Sequence, residues 1–258
     1  MKLRITAICD MGCVRSNNED MILVGKKLLR DDRLQGAVEP DKENPIFIVA
    51  VADGMGGANA GEVASQIVLE MFREGVYGLA TGLDDEALKV AVNSLCLDIH
   101  QKVLQEGIAD PAKRGMGSTL VGLLYYEGRL VLINAGDSRL YRFRNDTLMQ
   151  ISRDHSLHNL SGNSEAPSNV IFNSFGGGTT FYVDLEPAGK KILDGDVFLL
   201  CSDGVSDMLN DEEIEEILAG EGFEDALLEA SKNKGGEDNI SYVLVEVSGV
   251  EEQLGMST

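Results

Sequence analysis

One stretch narrows the possible folds more than any other: residues 45–57, Pro-Ile-Phe-Ile-Val-Ala-Val-Ala-Asp-Gly-Met-Gly-Gly. The apolar run 46–52 is short, rich in β-branched side chains and bounded by Pro45 and glycine, which predicts a strand buried on both faces. Asp53 stands at the mouth of that strand. A carboxylate in such a place is costly unless something positive meets it, and the neighbouring glycines let backbone groups approach the charge closely. A hard cation satisfies both conditions. The alternative is an Asp that caps a following helix. Both stand on this stretch alone, and the other acidic strand ends decide between them.

The chain has 258 residues, no repeat and no long linker, so it reads as one domain over residues 1–248 with a tail at 249–258. Apolar residues make up 43%, enough for a sizeable core, while the absence of Trp disfavours stacking on bases or sugars. With 22 basic against 43 acidic residues the net charge is −21, which argues against nucleic acid and anionic membranes as partners. An acidic chain that handles phosphate needs cations to mediate. Cys9, Cys13, Cys96 and Cys201 lack paired C-x-x-C spacing, so they read as small core residues in a reducing cytosol, not as zinc ligands or a disulfide framework. No apolar leader and no stretch of membrane-spanning length is present, and a cytoplasmic monomer is expected.

Along the chain, residues 3–9 alternate as a strand, and residues 12–20 lead into a second at 21–24. Residues 26–44 are polar and rich in turn formers, which predicts a surface loop. Val63, Ile67 and Met71, and then Leu88, Val92, Leu95, Ile99 and Val103, recur at helical spacing. From Ser118 the pattern becomes hairpins: 119–126 and 129–135 around Glu127-Gly128, then 138–143 and 148–151 around Asn145-Asp146, read as one antiparallel meander. The apolar run 197–201 ends in Ser202-Asp203-Gly204, helices follow at 212–218 and 224–231, and Asp238-Asn239 enters a last strand at 240–247. That order predicts packed sheets with helices on their outer faces.

Three apolar strands thus carry an Asp beside glycine, Asp53, Asp203 and Asp238, with Asp137 a fourth candidate and Asp20 a fifth. One such Asp is a turn residue; five converging carboxylates repel one another strongly unless cations neutralise them. An all-oxygen ligand set without His or Cys favours Mg²⁺ or Mn²⁺ over zinc. An Asp shared between two ions is the arrangement of a two-metal hydrolase acting on phosphate esters. Arg15 supplies a planar fork for phosphate oxygens; its bland role is a surface ion pair with Glu19. For Asp137 the bland role is a turn carboxylate paired with Arg139. His155 and His158 read as structural or exposed, since no nucleophile or acidic orienter is placed with them.

At this point the order of motifs is informative. Gly12-x-x-Arg15-x-x-Asn18-Glu19-Asp20, Asp53-Gly-Met-Gly-Gly57, Gly61-Glu-Val-Ala-Ser65, Gly117-Ser-Thr119, Ala135-Gly-Asp-Ser-Arg-Leu-Tyr141, Asp154-His-Ser156, Ser202-Asp-Gly204 and Gly235-Gly-x-Asp-Asn-Ile240 resemble the metal-dependent protein phosphatases of type 2C in their bacterial form. The resemblance runs from about Gly12 to Val247. It implies an α+β fold, a four-layer α/β/β/α sandwich of two antiparallel β-sheets flanked by helices. It also implies hydrolysis of phosphoserine and phosphothreonine in proteins phosphorylated by Ser/Thr kinases, with two tightly bound Mn²⁺ or Mg²⁺ ions and a third, weaker one. Carried over by motif, Asp53 bridges the two ions, Gly54 offers its carbonyl oxygen, and Asp203 and Asp238 bind the second ion. Glu19 and Asp20 act on the ions through water, Arg15 binds the substrate phosphate, and Asp137 with Asp203 holds the third ion.

Two departures stand out. Met55 follows the Asp-Gly pair where animal relatives carry a His proposed as general acid, so the leaving group takes its proton from water or another group. The segment between Asp154-His-Ser156 and Phe175-Gly176 is about ten residues shorter than the flap expected there. A pseudophosphatase that binds phosphoproteins or a kinase without turnover is the competing reading. Loss of a ligand would favour it, and every ligand position is filled.

Overall fold

The computed structural model describes residues 1–56, 60–157, 171–177 and 181–250, and the apolar run that ends before Asp53 is an inner strand of one of its two large sheets. Four strands precede that run: β1 (Lys2–Asp10), β2 (Met21–Val24), β3 (Lys27–Leu29) and β4 (Asp32–Val38). The run itself is β5 (Ile46–Ala52), followed by the two-residue β6 (Gly54–Met55). Helices α1 (Ala60–Tyr77) and α2 (Asp85–Ala109) lead to β7 (Gly117–Ser118), β8 (Leu120–Tyr126), β9 (Arg129–Ala135), β10 (Arg139–Arg144) and β11 (Thr147–Gln150). Next come β12 (Asp184–Pro187), β13 (Val197–Cys201), α3 (Asp203–Ser206), α4 (Asp211–Ala219), α5 (Phe223–Asn233) and β14 (Ile240–Ser248).

The strands form two six-stranded antiparallel sheets, in the orders β11-β10-β13-β14-β1-β4 and β12-β9-β8-β5-β2-β3. Strand β5 shows why the sheets stack. Its period of two sends Val49 and Val51 into the layer between the sheets, against Ile5, Val243 and Val245. Ile48, Ala50 and Ala52 point the other way, toward Val68, Phe72 and Ile99 of α1 and α2. On the far side Ile214, Leu218 and Leu227 of α4 and α5 cover Tyr141, Leu199 and Leu244 of the other sheet. The result is the expected four-layer α/β/β/α sandwich, with three apolar interfaces rather than one. Burying a Val or Leu side chain is worth about 1.5–3 kcal/mol, which makes β5, buried on both faces, a rigid base for the carboxylate at its end.

Three expectations are corrected. Residues 26–44 are not one loop, because β3 and β4 lie within them, and β4 pairs with β1 from Leu3↔Val38 to Cys9↔Asp32. Its side chains are mostly exposed, so this edge strand rests on backbone pairing and shows no apolar period. The hairpins after Ser118 are not one meander: β8 and β9 belong to one sheet, β10 and β11 to the other. The chain changes sheets at Gly136, whose φ of +124° is open to glycine and strained for other residues. Cys13 is exposed on the β1–β2 connection, whereas Cys9, Cys96 and Cys201 are buried as expected. Strand β12, at the edge beside β9, had no counterpart in the sequence reading. Among the described residues no helix is long and apolar enough to cross a membrane. Most of the shortened flap, His158, Gly57 and most of the tail lie outside the described residues.

Candidate metal centre

The acidic strand ends meet at one end of the sandwich. Asp53 leaves β5 locked to Thr119: its N–H donates to Thr119 Oγ1 at 3.0 Å, and its carbonyl accepts the Thr119 N–H at 2.8 Å. Gly54 donates its N–H to the Glu19 carbonyl at 3.2 Å and pairs with Ser118 across the β6–β7 ribbon. A Cβ on Gly54 would collide with the Gly61 carbonyl, so only glycine lets the start of α1 pack this closely. Asp20 precedes β2 and is buried, with one carboxylate oxygen accepting from Ser202 Oγ at 2.8 Å. Asp203 opens α3, Asp238 stands two residues before β14, and Asp137 lies in the β9–β10 connection.

Electrostatics report the convergence. Burial pushes the Asp53 carboxyl well above the ordinary carboxylate range, and Asp20, Asp203, Asp137 and Asp238 push it further. Asp20 is raised to about 8, first by burial and then by Asp203 and Asp238, against the opposing bonds from Ser241 and Ser202. Burial followed by Asp238 and Asp207 brings Asp203 to about 6, while burial followed by Asp203 brings Asp137 to about 7. Glu19 is raised chiefly by burial, and its largest opposing influences are Asn17 and Arg15. Asp207, which the sequence reading did not single out, is raised by burial despite Arg139 nearby.

Both bland roles are displaced. Arg15 Nη2 pairs with Asp238 Oδ2 at 2.5 Å, not with Glu19, and so sits at the rim of the acidic cluster. Arg139 is committed to Asp154 through Nε and Nη2, at 3.1 and 2.8 Å to Oδ2, leaving Asp137 without it.

Two further residues shape the cluster without belonging to it. Asn239 accepts the Glu19 N–H at 2.8 Å and donates to the carbonyls of Met11 and Asn17 at 2.9 and 3.0 Å, which ties the Arg15 loop to the entry of β14. Arg30 donates to the Asp20 carbonyl at 3.0 Å and to Ser65 Oγ at 2.9 Å, while Ser65 holds the Glu19 carbonyl at 2.6 Å. The Asp-Asn pair was a visible signal for the first. Arg30 lay in a presumed loop and had none.

The donor set fits a hard divalent cation. Asp203 Oδ1 is closed off from solvent with no hydrogen-bond partner, a state that a cation would relieve, and the surrounding donors are all oxygens. Among the described residues no three acidic, His or Cys side chains stand as a closed ligand set.

This crowding sets a pH dependence. Asp20, Asp137 and Asp203, at about 8, 7 and 6, hold protons that an unfolded chain has lost above about pH 4. Native protein therefore binds more protons than unfolded protein across that window, and the metal-free fold loses stability as pH rises from about 4 to about 8. Melting in chelator should be higher near pH 5 than near pH 8, and added Mn²⁺ should raise it most at the alkaline end, by mass action on the folded state. A chelated protein that melts higher at pH 8 would contradict the crowding.

Residues 24–244 match a family model described as Protein phosphatase 2C. The chain belongs to the protein phosphatase 2C family. Over 251 residues this phosphatase is 30% identical to "Serine/threonine phosphatase stp" of Listeria monocytogenes serotype 4b (strain F2365), covering 92% of this chain and 93% of that one. It is 33% identical over 263 residues to "Serine/threonine protein phosphatase PstP" of Mycobacterium tuberculosis (strain ATCC 25618 / H37Rv), a longer protein of which 45% is covered, against 95% of this chain. The solved serine/threonine phosphatase of S. agalactiae superposes with a TM-score of 0.80 at 25% identity, over 95% of this chain and all of that one.

Proposed function

We propose that this phosphatase hydrolyses phosphoserine and phosphothreonine in proteins, at a centre of two Mn²⁺ or Mg²⁺ ions held by Asp53, Gly54, Asp203 and Asp238 within the domain of residues 1–248. The observation that carries the proposal is the enclosed Oδ1 of Asp203, without a hydrogen-bond donor on it, amid carboxyls that together hold the Asp53 carboxyl well above its ordinary range. Family membership supports the chemistry, and the relatives bear names of serine/threonine phosphatases. When bound, such ions supply Lewis-acid activation of water and neutralise phosphate charge.

The chain's own residues do the rest. Glu19 and Asp20 border the cluster as further acceptors, with Asp20 oriented by Ser202. Asp203 raises the Asp137 carboxyl, which suits a third ion shared between the two, and such an ion, with few protein ligands, would be held more weakly than the first two. Met55 has no titratable proton to give the leaving alkoxide. The test is turnover of a phosphothreonine peptide by chelated protein, expected at background and restored by Mn²⁺; undiminished turnover under thorough chelation would sink the metal mechanism.

Arg15 has a separate role. Its guanidinium cannot ligate a cation, and its grip on Asp238 places the fork where phosphate oxygens would compete for it. Arg15→Ala should raise KM for the phosphopeptide and weaken inorganic phosphate as an inhibitor by about tenfold, with tight Mn²⁺ binding nearly intact. Equal loss of phosphate and Mn²⁺ affinity would make Arg15 a support of the fold instead.

A further inference from the structure

His155 is buried a short way from the acidic cluster, and every polar atom on its ring is used. The Gly136 N–H donates to Nδ1 at 3.2 Å, and the Asn173 amide donates to the same atom at 2.7 Å. Asn173 cannot be turned round, because its Oδ1 accepts the Tyr182 N–H at 3.3 Å and its Nδ2 also donates to the Tyr182 carbonyl at 2.8 Å. With Nδ1 an acceptor, Nε2 carries the hydrogen and donates to Asp184 Oδ2 at 3.0 Å. The His155 backbone closes the loop: its N–H donates to the Gly136 carbonyl at 2.9 Å. Tyr182 packs on the ring, with centroids 4.7 Å apart.

Gly136 is therefore held at both its N–H and its carbonyl by one residue, and it has no slack on the opposite side. A Cβ there would lie 2.6 Å from Thr119 Cβ, and Thr119 is the residue whose Oγ1 accepts the Asp53 N–H and bonds Ser138 Oγ at 2.7 Å. The peptide that ends in Asp137 is thus wedged between His155 and the support of Asp53. Asn173 draws a second segment into the same clamp: residues 171–175, where Phe175 exchanges backbone bonds with Ser118 at 2.9 and 3.0 Å.

We infer that His155 is a positioning residue that fixes Asp137 against Asp53 and Asp203 by clamping Gly136 between its ring and backbone. The inference rests on the placement of Asp137 in the catalytic centre proposed above. A residue of this kind touches no substrate. It acts through Asp137, so its removal lowers turnover and spares substrate binding.

The experiment is a double-mutant cycle on a phosphothreonine peptide with saturating Mn²⁺. Asp137→Ala is expected to lower kcat by at least about tenfold, His155→Leu by a similar factor with KM within about threefold, and the double variant no further than Asp137→Ala alone. His155→Asn offers an acceptor near the place of Nδ1 and should recover most of the loss. Exchange of the Gly136 amide, read by NMR in metal-free protein, should speed up at least about tenfold in His155→Leu and return in His155→Asn. If His155→Leu does not fold, Asp184→Ala replaces it: the position is partly exposed at a sheet edge, the ring loses its Nε2 acceptor, and a smaller loss of the same non-additive kind is expected. Additive losses, or unchanged Gly136 exchange, would overturn the inference. A wild-type kcat in Asp137→Ala would count against the third-ion assignment alone, and the exchange rate then decides the clamp by the same criterion.

Discussion

Asp53→Asn should abolish turnover and leave the fold standing. Asp53 is the carboxyl that every other member of the cluster presses on: Asp20, Asp203, Asp137 and Asp238 all raise it, on top of burial. Replacing it with an amide of the same shape removes an acidic group that burial and four neighbouring carboxyls disfavour as an anion, and it keeps the backbone bonds to Thr119. Metal-free Asp53→Asn is therefore expected to melt at or above the wild-type temperature in chelator. Its activity should fall differently, because a neutral amide is a poor bridge between cations, and the proposed two-ion centre would lose both water activation and charge neutralisation without its shared ligand. The expected loss in kcat is at least about 1000-fold, a barrier increase of about 4 kcal/mol. Melting in chelator and phosphopeptide turnover with Mn²⁺, measured on the same preparation, separate the two effects. A variant that keeps a substantial share of wild-type turnover would remove Asp53 from the bridging role.

The opposite effects expected on stability and activity at Asp53 follow from how the site is built, and the same feature explains what could be read from the sequence. A short apolar run ending in Asp-Gly is a strong local signal, since the run must be buried and the charge at its end must be answered. Asp53 and Asp203 both carry it, and the two-sided burial of Ile46–Ala52 followed from the same seven residues. What the sequence concealed was settled by contacts distant along the chain. Strand β4 is an edge strand with exposed, charged side chains, so the segment shows no period of two and resembles a loop. Arg30 therefore went unnoticed, although its bonds to the Asp20 carbonyl and Ser65 hold the strand carrying Asp20 against α1. The turn signals at Glu127-Gly128 and Asn145-Asp146 located two hairpins correctly, but hairpin signals are local. Which sheet each hairpin joins was decided at Gly136, where the chain crosses between layers. The alternative that Arg139 pairs with Asp137 fails for a related reason: Asp154, fifteen residues on, outcompetes Asp137 at two residues, because the β10–β11 hairpin returns the chain to it.

Gly54→Ala should cost both stability and activity, through sterics alone. A methyl group at this position meets three backbone atoms, the carbonyl oxygen and carbon of Gly61 and the carbonyl oxygen of Glu19, the last at 2.7 Å. None is the end of a flexible side chain, so relief requires the first turn of α1 or the Glu19 segment to move. Both are load points of the site: Ser65 of α1 holds the Glu19 carbonyl, and the Gly54 N–H donates to the same oxygen. Overpacking of this kind costs about 1–3 kcal/mol. The movement also displaces the Gly54 carbonyl and the neighbouring Asp53 from the positions proposed for the ions, and about 100-fold lower kcat is expected, close to 3 kcal/mol in the barrier. Gly36→Ala in β4 is the control, because an added Cβ there meets nothing nearer than Leu34 Cδ2 at 3.9 Å. Urea melts and Mn²⁺-dependent turnover of the two variants side by side make the comparison. Wild-type behaviour in Gly54→Ala would mean that α1 can withdraw from β6 without disturbing the site, and the close packing of Gly54 on Gly61 would lose its functional meaning.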